Sequence, residues 1–286
     1  MHINRKGNQE ICKGNHFLID NDDILYFTFN GLENTGIVKH CFSSRLGGVS
    51  KGHLSTMNLS YMRGDEKECV DENYRRIAKV LGCEIEDIVC SDQTHTINVR
   101  KVTADDKGKG IVKPKDYKDI DGLITNESGI ALATFYADCV PLYIVDPVHH
   151  AIGLSHSGWR GTVKRMGAVT LKKMEEEYGT KPQDVYVAIG PSICQDCYEV
   201  SKDVADEFRE AFLAQRDEDK LLYQKSEEKF LLNLWYANYC VFREAGVPEK
   251  NIEVTDVCTC CNSDILFSHR ASKGMRGNLG AFLMLK

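Results

Sequence analysis

The stretch ADCVPLYIVDPVHHAIGLSHSGWRGT, residues 137–162, has the pattern of two buried strands joined by a tight turn. Its apolar runs at 140–145 and 151–155 are separated by a segment that begins with Asp-Pro, a typical turn dipeptide. The connection is too short for a parallel crossover, so we expect antiparallel neighbours. Cys139 begins this unit and His156 ends it, which places two metal-binding side-chain types at its ends.

The rest of the chain alternates between strand and helix patterns. Further strands are predicted at 24–29, 37–43, 131–135 and 185–189, helices at 68–82, 162–178, 202–215 and 233–245, and a C-terminal strand pair at 252–257 and 281–285. The lysine-rich segment 104–118 is interpreted as a mobile surface excursion. The pattern predicts an α/β fold with mixed strand directions. Because no linker divides the chain, residues 1–286 are predicted to form a single domain.

Composition excludes several classes of protein. A formal charge of −6 over 286 residues argues against a general nucleic-acid or membrane-surface binder, which would normally be basic. The sequence has no run of about 18 apolar residues that would predict a transmembrane helix. Its first residues lack the apolar centre of a signal peptide. We therefore expect a cytoplasmic protein.

The chain has 12 cysteines, which in that compartment are expected to be reduced thiols. Cys194 and Cys197 form a C-x-x-C pair, and Cys258, Cys260 and Cys261 crowd together further on. The two groups could combine in a structural Cys₄ zinc site, or the first pair could be redox-active. We take the run CTCC to offer no second C-x-x-C pair, and so expect no second metal site there.

A metal centre is indicated by three residues at strand termini, where functional groups gather beside loops. They are Cys139, His156 and His95, the last within SDQTHTINV. A thiolate and two imidazoles suit Zn²⁺ and leave its fourth position open for water, as in catalytic zinc sites. Zinc would lower the pKa of that water towards about 7. The three residues lie far apart in the chain, so spacing alone does not establish the site; Cu²⁺ also binds such ligands.

Two arginines beside glycines are candidates for binding phosphate. Arg45 lies in SSRLGGVSKG, where glycine amides and a bidentate guanidinium could form an anion pocket. The same stretch also fits a hairpin turn with an exposed arginine. Arg160 lies in HSGWRGT, at the start of a predicted helix, and helix N-termini favour anions.

Several motifs together resemble a known family. They are FSSRLGGVSKG, SDQTHTINV, DGLIT, ADCVPLYIVDP, AIGLSHSGWRGTV, AIGPSICQDCYEV and DVCTCC followed by LFSHR. In this order they are similar to the YfiH-type laccase-domain proteins, also called multicopper polyphenol oxidoreductases or peptidoglycan editing factors. That family is described as purine nucleoside phosphorylases with adenosine deaminase activity. The resemblance covers about residue 38 to the C-terminus and leaves residues 1–37 outside it.

The resemblance implies a single-domain, mixed-sheet α/β sandwich related to cysteine deamidase toxins. It also implies that His95, Cys139 and His156 bind the metal, zinc or copper, as catalytic residues. Asp138 becomes a candidate for proton transfer or ribose contact, although it could equally be a hydrogen-bond acceptor at a strand edge. Cys197, with Cys258, is implied in the substrate pocket wall. The chain departs from the family pattern at Cys194-Gln195 and at His269, which leaves substrate preference open.

The implied reactions act on small molecules. One is phosphorolysis of adenosine, guanosine, inosine or methylthioadenosine to the free base and ribose 1-phosphate, which keeps the 5-methylthio group when methylthioadenosine is the substrate; the other is deamination of adenosine. The implied protein is a monomer or weak homodimer. Three alternatives remain: a copper-dependent polyphenol oxidase, a hydrolase of peptidoglycan fragments with Cys139 as nucleophile, and a non-enzymatic module stabilised by zinc.

Overall fold

A computed structural model describes residues 2–7, 11–19, 22–213 and 218–286. The strands are β1 Cys12–Ile19, β2 Asp22–Phe29, β3 Val38–Ser43, β4 Ile88–Cys90, β5 Val99–Lys101, β6 Gly122–Thr125, β7 Ala131–Tyr136, β8 Val140–Asp146, β9 Ala151–Ser157, β10 Tyr186–Ile189, β11 Glu199–Ser201, β12 Leu222–Gln224, β13 Lys229–Leu232, β14 Ile252–Val254 and β15 Leu279–Leu285. The helices are α1 Asn30–Asn34, α2 Lys67–Leu81, α3 Trp159–Val163, α4 Met166–Tyr178, α5 Lys202–Ala211, α6 Glu218–Leu221, α7 Leu234–Glu244 and α8 His269–Ser272.

Two large mixed sheets pack against each other. The first has the strand order β1-β2-β3-β15-β7-β4, and the second has the order β14-β10-β8-β9-β6-β5. Helix α2 covers the outer face of the first sheet, while α4, α5 and α7 cover that of the second. A small sheet, β11-β13-β12, lies beside α5. The layers form the expected mixed α/β sandwich of a single domain.

Strand β8 is buried on both faces, because its side chains alternate between two cores. Tyr143 and Val145 contribute to the core between the two sheets. Leu142 and Ile144 contribute to the core beneath α4 and α7. Burying one such apolar side chain stabilises the fold by about 1.5–3 kcal/mol. This two-sided burial explains why residues 140–145 read as one continuous apolar run.

The predicted hairpin is confirmed. Strands β8 and β9 pair antiparallel, with Val140 opposite Ser157 and Pro141 opposite His156. The predicted helix 68–82 is α2, which ends at Gly82 in the left-handed region (φ 66°). The predicted helix 162–178 is interrupted, because Arg165 at φ 64° separates α3 from α4. Helix 202–215 is α5, and residues 214–215 of that prediction lie outside the described residues.

The predicted C-terminal strand pair is wrong. Strand β14 pairs in parallel with β10 in the second sheet. Strand β15 lies in the first sheet, between β3 and β7. Strand β14 forms the edge of the second sheet, whereas the buried, apolar β15 lies inside the first.

The segment 104–118 is more tightly held than expected. Asp106 is buried and pairs with Arg100 at 2.9 Å and Lys109 at 2.8 Å. The Tyr117 hydroxyl donates to the carbonyl of Cys90 at 2.5 Å. These buried contacts anchor the segment against β4. In the described part of the chain, no helix has the length and apolar character needed to span a bilayer.

Candidate functional site

The three candidate metal ligands meet at one end of the β8–β9 hairpin. Their ligand atoms all lie within 4.8 Å of one another. Cys139 directly precedes β8, His156 lies on β9, and His95 comes from the loop between β4 and β5. His95 Nε2 lies 4.0 Å from Cys139 Sγ. The two imidazole rings are 5.0 Å apart and nearly perpendicular, at 81°. The fold therefore brings together residues that are distant in sequence.

Two residues of the site have unusual backbone conformations. His95 has φ 65° and Asp138, the neighbour of Cys139, has φ 93°. Residues other than glycine adopt positive φ at a cost of order 1–3 kcal/mol when the surrounding structure imposes it. Such strain often marks functional sites, and here it lies at one predicted ligand and beside another.

Asp121 is the residue that the sequence analysis missed. Its carboxylate is fully buried and accepts hydrogen bonds from the backbone N–H groups of Thr94 (3.1 Å), His95 (3.1 Å) and Thr96 (2.8 Å). His156 Nδ1 lies 2.8 Å from the same carboxylate. Burial alone would raise the pKa of Asp121, but these hydrogen bonds, that of His156 foremost, lower it below its usual value. A single ionised carboxylate thus holds two of the three candidate ligands.

This contact fixes the tautomer of His156. A carboxylate accepts a proton at Nδ1, so Nε2 is the nitrogen that can bind a metal ion, once it gives up its own proton. The available sequence signal was the motif DGLIT, which Asp121 begins. An Asp-Gly before a strand equally marks an ordinary turn, so the motif alone did not assign the role.

The charges of the trio favour a thiolate. Burial would raise the pKa of Cys139, but His156 and then His95 lower it to about 6. Burial would lower the pKa of His156, but Cys139 and Asp121 raise it to about 9. Thiolate is the form of cysteine that binds metals.

The donor set fits a zinc ion. Zn–N bonds of about 2.0–2.1 Å and a Zn–S bond of about 2.3 Å place tetrahedral N and S ligands about 3.6 Å apart. The 4.0 Å between His95 Nε2 and Cys139 Sγ needs only a small closure to reach this value. A Cβ added at Gly158 would lie 2.9 Å from His95 Cδ2 and 3.2 Å from Cys139 Sγ. Glycine therefore leaves room for the two ligands, and the same donors also suit copper.

Gly158→Ala is expected to weaken metal binding at this site. The added methyl group would push His95 away from Cys139, and overpacking of this kind costs about 1–3 kcal/mol. We expect roughly a tenfold or greater rise in the metal dissociation constant, measured by competition with a chelator. Gly161→Ala is the matched control, because its added Cβ meets nothing closer than 3.6 Å. Equal affinities for the two variants would contradict this reading of Gly158.

Asp121→Asn should weaken metal binding by about 10- to 100-fold, the usual effect of removing a carboxylate behind a histidine ligand. The amide of asparagine has the same shape as the carboxylate, but it lacks the negative charge that holds the Nδ1 proton of His156 in a hydrogen bond. Metal affinity and circular dichroism should be measured together. Full metal affinity in a folded Asp121→Asn protein would show that the carboxylate does not orient His156.

A cleft of about 470 Å³ opens beside the three candidate ligands. This volume is within the range of sites for small molecules. Its walls carry aromatic and cationic side chains, among them Tyr61, Arg63, Lys115, Phe135, Tyr136 and Arg276. The cleft can therefore hold both a flat ring and an anion.

The structure does not bring Arg45 to this cleft. Its Nε donates to the carbonyl of Ser55 and its Nη1 to that of Ser263, both at 2.9 Å. Its guanidinium packs 4.6 Å from the ring centre of Phe267. The neighbouring glycines serve packing, since a Cβ at Gly47 would lie 2.6 Å from Ile24 Cα. The stretch that suggested an anion pocket is instead a tightly packed turn.

Arg160 lies away from the cleft, and Asp138 takes the second of its two predicted roles. Arg160 is exposed, lies over the ring of Trp159 at 4.2 Å and does not line the cleft. The carboxylate of Asp138 accepts hydrogen bonds from the hydroxyl of Thr259 and the N–H of Arg270, each at 2.7 Å. Both of its oxygens thus fix the backbone next to Cys139, which favours the acceptor role over proton transfer.

Cys197 does not line the cleft either. It belongs with Cys194, Cys258 and Cys261 to a second group of potential ligands, whose sulfur atoms lie within 4.8 Å of one another. The expectation that CTCC offers no second C-x-x-C pair is wrong, because Cys258 and Cys261 are themselves separated by two residues. The extra cysteine at position 260 made the C-x-x-C spacing of Cys258 and Cys261 easy to overlook.

Comparison with known proteins gives consistent results. Residues 39–286 match the family model described as multi-copper polyphenol oxidoreductase laccase. The chain is 34% identical to purine nucleoside phosphorylase YlmD of Bacillus subtilis, covering 86% of this chain and 87% of that protein. It is 36% identical to YlmD of Geobacillus stearothermophilus, covering 84% and 88%. The crystal structure of the hypothetical protein YfiH of Bacillus licheniformis superposes with a TM-score of 0.86 at 32% identity, covering 91% and 96%.

Proposed function

The chain belongs to the multi-copper polyphenol oxidoreductase laccase family, and from this membership we propose that it is a zinc-dependent purine nucleoside phosphorylase. The observation that carries the proposal is a His/Cys/His centre at the edge of a cleft with aromatic and cationic walls. Relatives that cover most of the chain are named purine nucleoside phosphorylases. The proposed substrates are adenosine, guanosine, inosine and methylthioadenosine with phosphate.

The aromatic side of the cleft suits a purine. Phe135 and Tyr136 line one wall. On another wall Tyr61 stacks on Tyr74, with 5.8 Å between the two ring centres. Flat rings pack favourably against such side chains in offset or edge-to-face arrangements. This wall would hold the base while the ribose faces the candidate metal ligands.

The cationic side of the cleft suits phosphate. Burial, and then the nearby positive charge of Arg63, lower the pKa of Arg276 to about 10, so the Arg276 guanidinium is still charged at neutral pH. Arg276 Nε is buried and has no hydrogen-bond partner among the described residues. Two like charges facing one cleft are stabilised by an anion between them, and guanidinium groups bind phosphate in a bidentate manner. We assign phosphate binding to Arg63 and Arg276 in place of Arg45 and Arg160.

His95, Cys139 and His156 would hold the zinc ion. Bound there, zinc supplies a Lewis acid and lowers the pKa of water in its open position. Asp121 keeps the Nδ1 proton of His156 in place and so keeps Nε2 directed at the ion. Asp138 positions Cys139 through the backbone contacts described above.

The same centre suits a second reaction, hydrolytic deamination of adenosine to inosine and ammonia. This reaction consumes water, whereas phosphorolysis consumes phosphate and transfers the ribosyl group to it. The cationic side of the cleft is needed only for phosphorolysis. The two activities should therefore respond differently to changes at Arg63 and Arg276.

One alternative has a specific observation in its favour. The lowered pKa of Cys139 beside two histidines is also what a cysteine nucleophile requires, so a hydrolase acting on peptidoglycan fragments remains the second candidate. A copper-dependent polyphenol oxidase is the third, and it rests on the description of the family model. Metal content and oxygen uptake separate the oxidase from the phosphorylase.

The test uses purified full-length protein with measured metal content. It is incubated with adenosine, guanosine, inosine and methylthioadenosine, with and without phosphate, and products are separated by chromatography. We expect free base and the sugar 1-phosphate only when phosphate is present, and inosine from adenosine under both conditions. The sugar product is ribose 1-phosphate, or 5-methylthioribose 1-phosphate from methylthioadenosine. No turnover of any nucleoside by zinc-loaded protein, or oxygen consumption with phenols, would overturn the proposal.

A further inference from the structure

Four cysteines form a second potential metal site, away from the cleft. They come from two turns, one with Cys194 and Cys197 after β10, the other with Cys258 and Cys261 after β14. Cys194 and Cys258 are buried, and Cys197 and Cys261 are half-buried. Each pair has the C-x-x-C spacing of structural zinc sites.

The distances between the sulfur atoms suit one shared metal ion. Cys261 Sγ lies 3.5 Å from Cys197 Sγ and 4.0 Å from Cys194 Sγ. Four sulfur ligands at about 2.3 Å from a tetrahedral zinc are about 3.8 Å apart. A disulfide requires sulfur atoms about 2.05 Å apart, much closer than these pairs. These two separations lie on either side of the ZnS₄ value, and all four sulfur atoms lie within 4.8 Å of one another.

The surrounding backbone also fits a metal–thiolate centre. The N–H groups of Cys194 and Cys261 point at Cys258 Sγ, at 3.3 and 3.4 Å. Such donors stabilise negative charge on sulfur. The two turns are held in register by the N–H of Thr259, which donates to the carbonyl of Ser192 at 3.1 Å. The ligands are therefore held in place by backbone contacts.

A cation lies close to this group. Lys6 Nζ forms a 3.0 Å ion pair with Asp196, which lies between the two cysteines of the first pair. A zinc ion with four thiolates carries a net charge of −2, so a nearby ammonium group offsets part of it. Tetrahedral S₄ coordination is typical of zinc and of iron–sulfur proteins, and closed S₄ zinc sites are structural.

We propose that Cys194, Cys197, Cys258 and Cys261 bind a structural zinc ion. The site clamps the turn after β10 to the turn after β14. Both turns contact Asp138: the N–H of Ile193 donates to its carbonyl at 3.0 Å and the hydroxyl of Thr259 to its carboxylate at 2.7 Å. Because Asp138 precedes Cys139, the ion would stabilise the backbone that presents Cys139 to the cleft.

The experiment counts zinc in full-length protein purified without chelators. In a Cys139→Ala background, which removes a ligand of the other centre, we expect about one zinc per chain. X-ray absorption should show only sulfur neighbours at about 2.3 Å. Adding Cys261→Ser should reduce the zinc content to near zero. Adding Cys260→Ser instead should leave it near one, because Cys260 is a neighbouring thiol outside the group of four.

Several results would overturn this site. They are a Cys139→Ala protein that contains no zinc, nitrogen atoms in the coordination shell of its zinc, iron in place of zinc, or disulfide bonds between these cysteines. If the Cys261→Ser variant fails to fold, the absorption spectrum of the folded Cys139→Ala protein decides by itself. The proposal does not depend on the proposed function, because this zinc count is independent of nucleoside turnover.

Discussion

Cys139→Ala is expected to lower nucleoside turnover by at least about 1,000-fold and to remove the metal from the His/Cys/His centre. Lewis-acid stabilisation is worth several kcal/mol, and about 4 kcal/mol corresponds to a factor of roughly 1,000 in rate. Cys139 Sγ is the one anionic donor of the trio, and it faces His95 Nε2 at 4.0 Å. Two imidazoles alone would hold zinc poorly.

The measurement combines metal content, both product rates and the melting temperature. The fold should survive, because Cys139 lies just before the start of β8 and its replacement removes no core contact as large as those of Leu142 or Ile144. Cys69→Ala is the matched control: Cys69 is a half-buried thiol on α2, outside both groups of candidate ligands. In Cys139→Ala, retained turnover together with metal still bound at the His/Cys/His centre would contradict the assignment. Loss of turnover with full metal occupancy would favour a cysteine nucleophile.

The parts of the fold that sequence predicted well depend on local patterns. The β8–β9 hairpin follows from two apolar runs and an Asp-Pro turn, and α2 follows from helical periodicity that ends at Gly82. The choice of sheet is not local. Strands β14 and β15 are both predicted from short apolar segments, yet one extends the second sheet beside β10 and the other fills the first between β3 and β7. Nothing in either segment specifies its partner.

The candidate site shows the same division. Residue types that bind metals could be found by inspection, because histidine and cysteine at strand ends are uncommon and chemically informative. Asp121 could not, since its role depends on three N–H groups from a loop more than twenty residues earlier in the chain. Glycines were misleading in one place: those after Arg45 permit close packing, whereas Gly158 makes room beside Cys139. A glycine in a sequence indicates that other atoms pack close to its backbone, but the sequence does not identify those atoms.

Arg276→Ala should reduce phosphorolysis by roughly 30- to 1,000-fold while adenosine deamination falls much less. Removing a charge-assisted contact to a reacting anion costs about 2–4 kcal/mol in the transition state. Arg276 lines the cleft together with Arg63 and the candidate metal ligands, and its Nε has no hydrogen-bond partner in the described structure. In phosphorolysis, phosphate would contact the part of this half-buried guanidinium that faces the cleft. Water is the other nucleophile, and it does not need a guanidinium.

The ratio of products distinguishes binding of phosphate from a general role in the fold. Ribose 1-phosphate and inosine should be measured at fixed adenosine and varied phosphate, where Arg276→Ala should raise the phosphate concentration needed for half-maximal rate. Arg276→Lys should recover only part of the loss, since an ammonium cannot make the planar two-point contact. Arg45→Ala is the contrasting variant: it removes hydrogen bonds to two backbone carbonyls, so it should lower the melting temperature without changing the phosphate dependence. Equal losses of both products in Arg276→Ala would mean that this residue orients the nucleoside instead, because only a group that contacts phosphate can separate the two reactions.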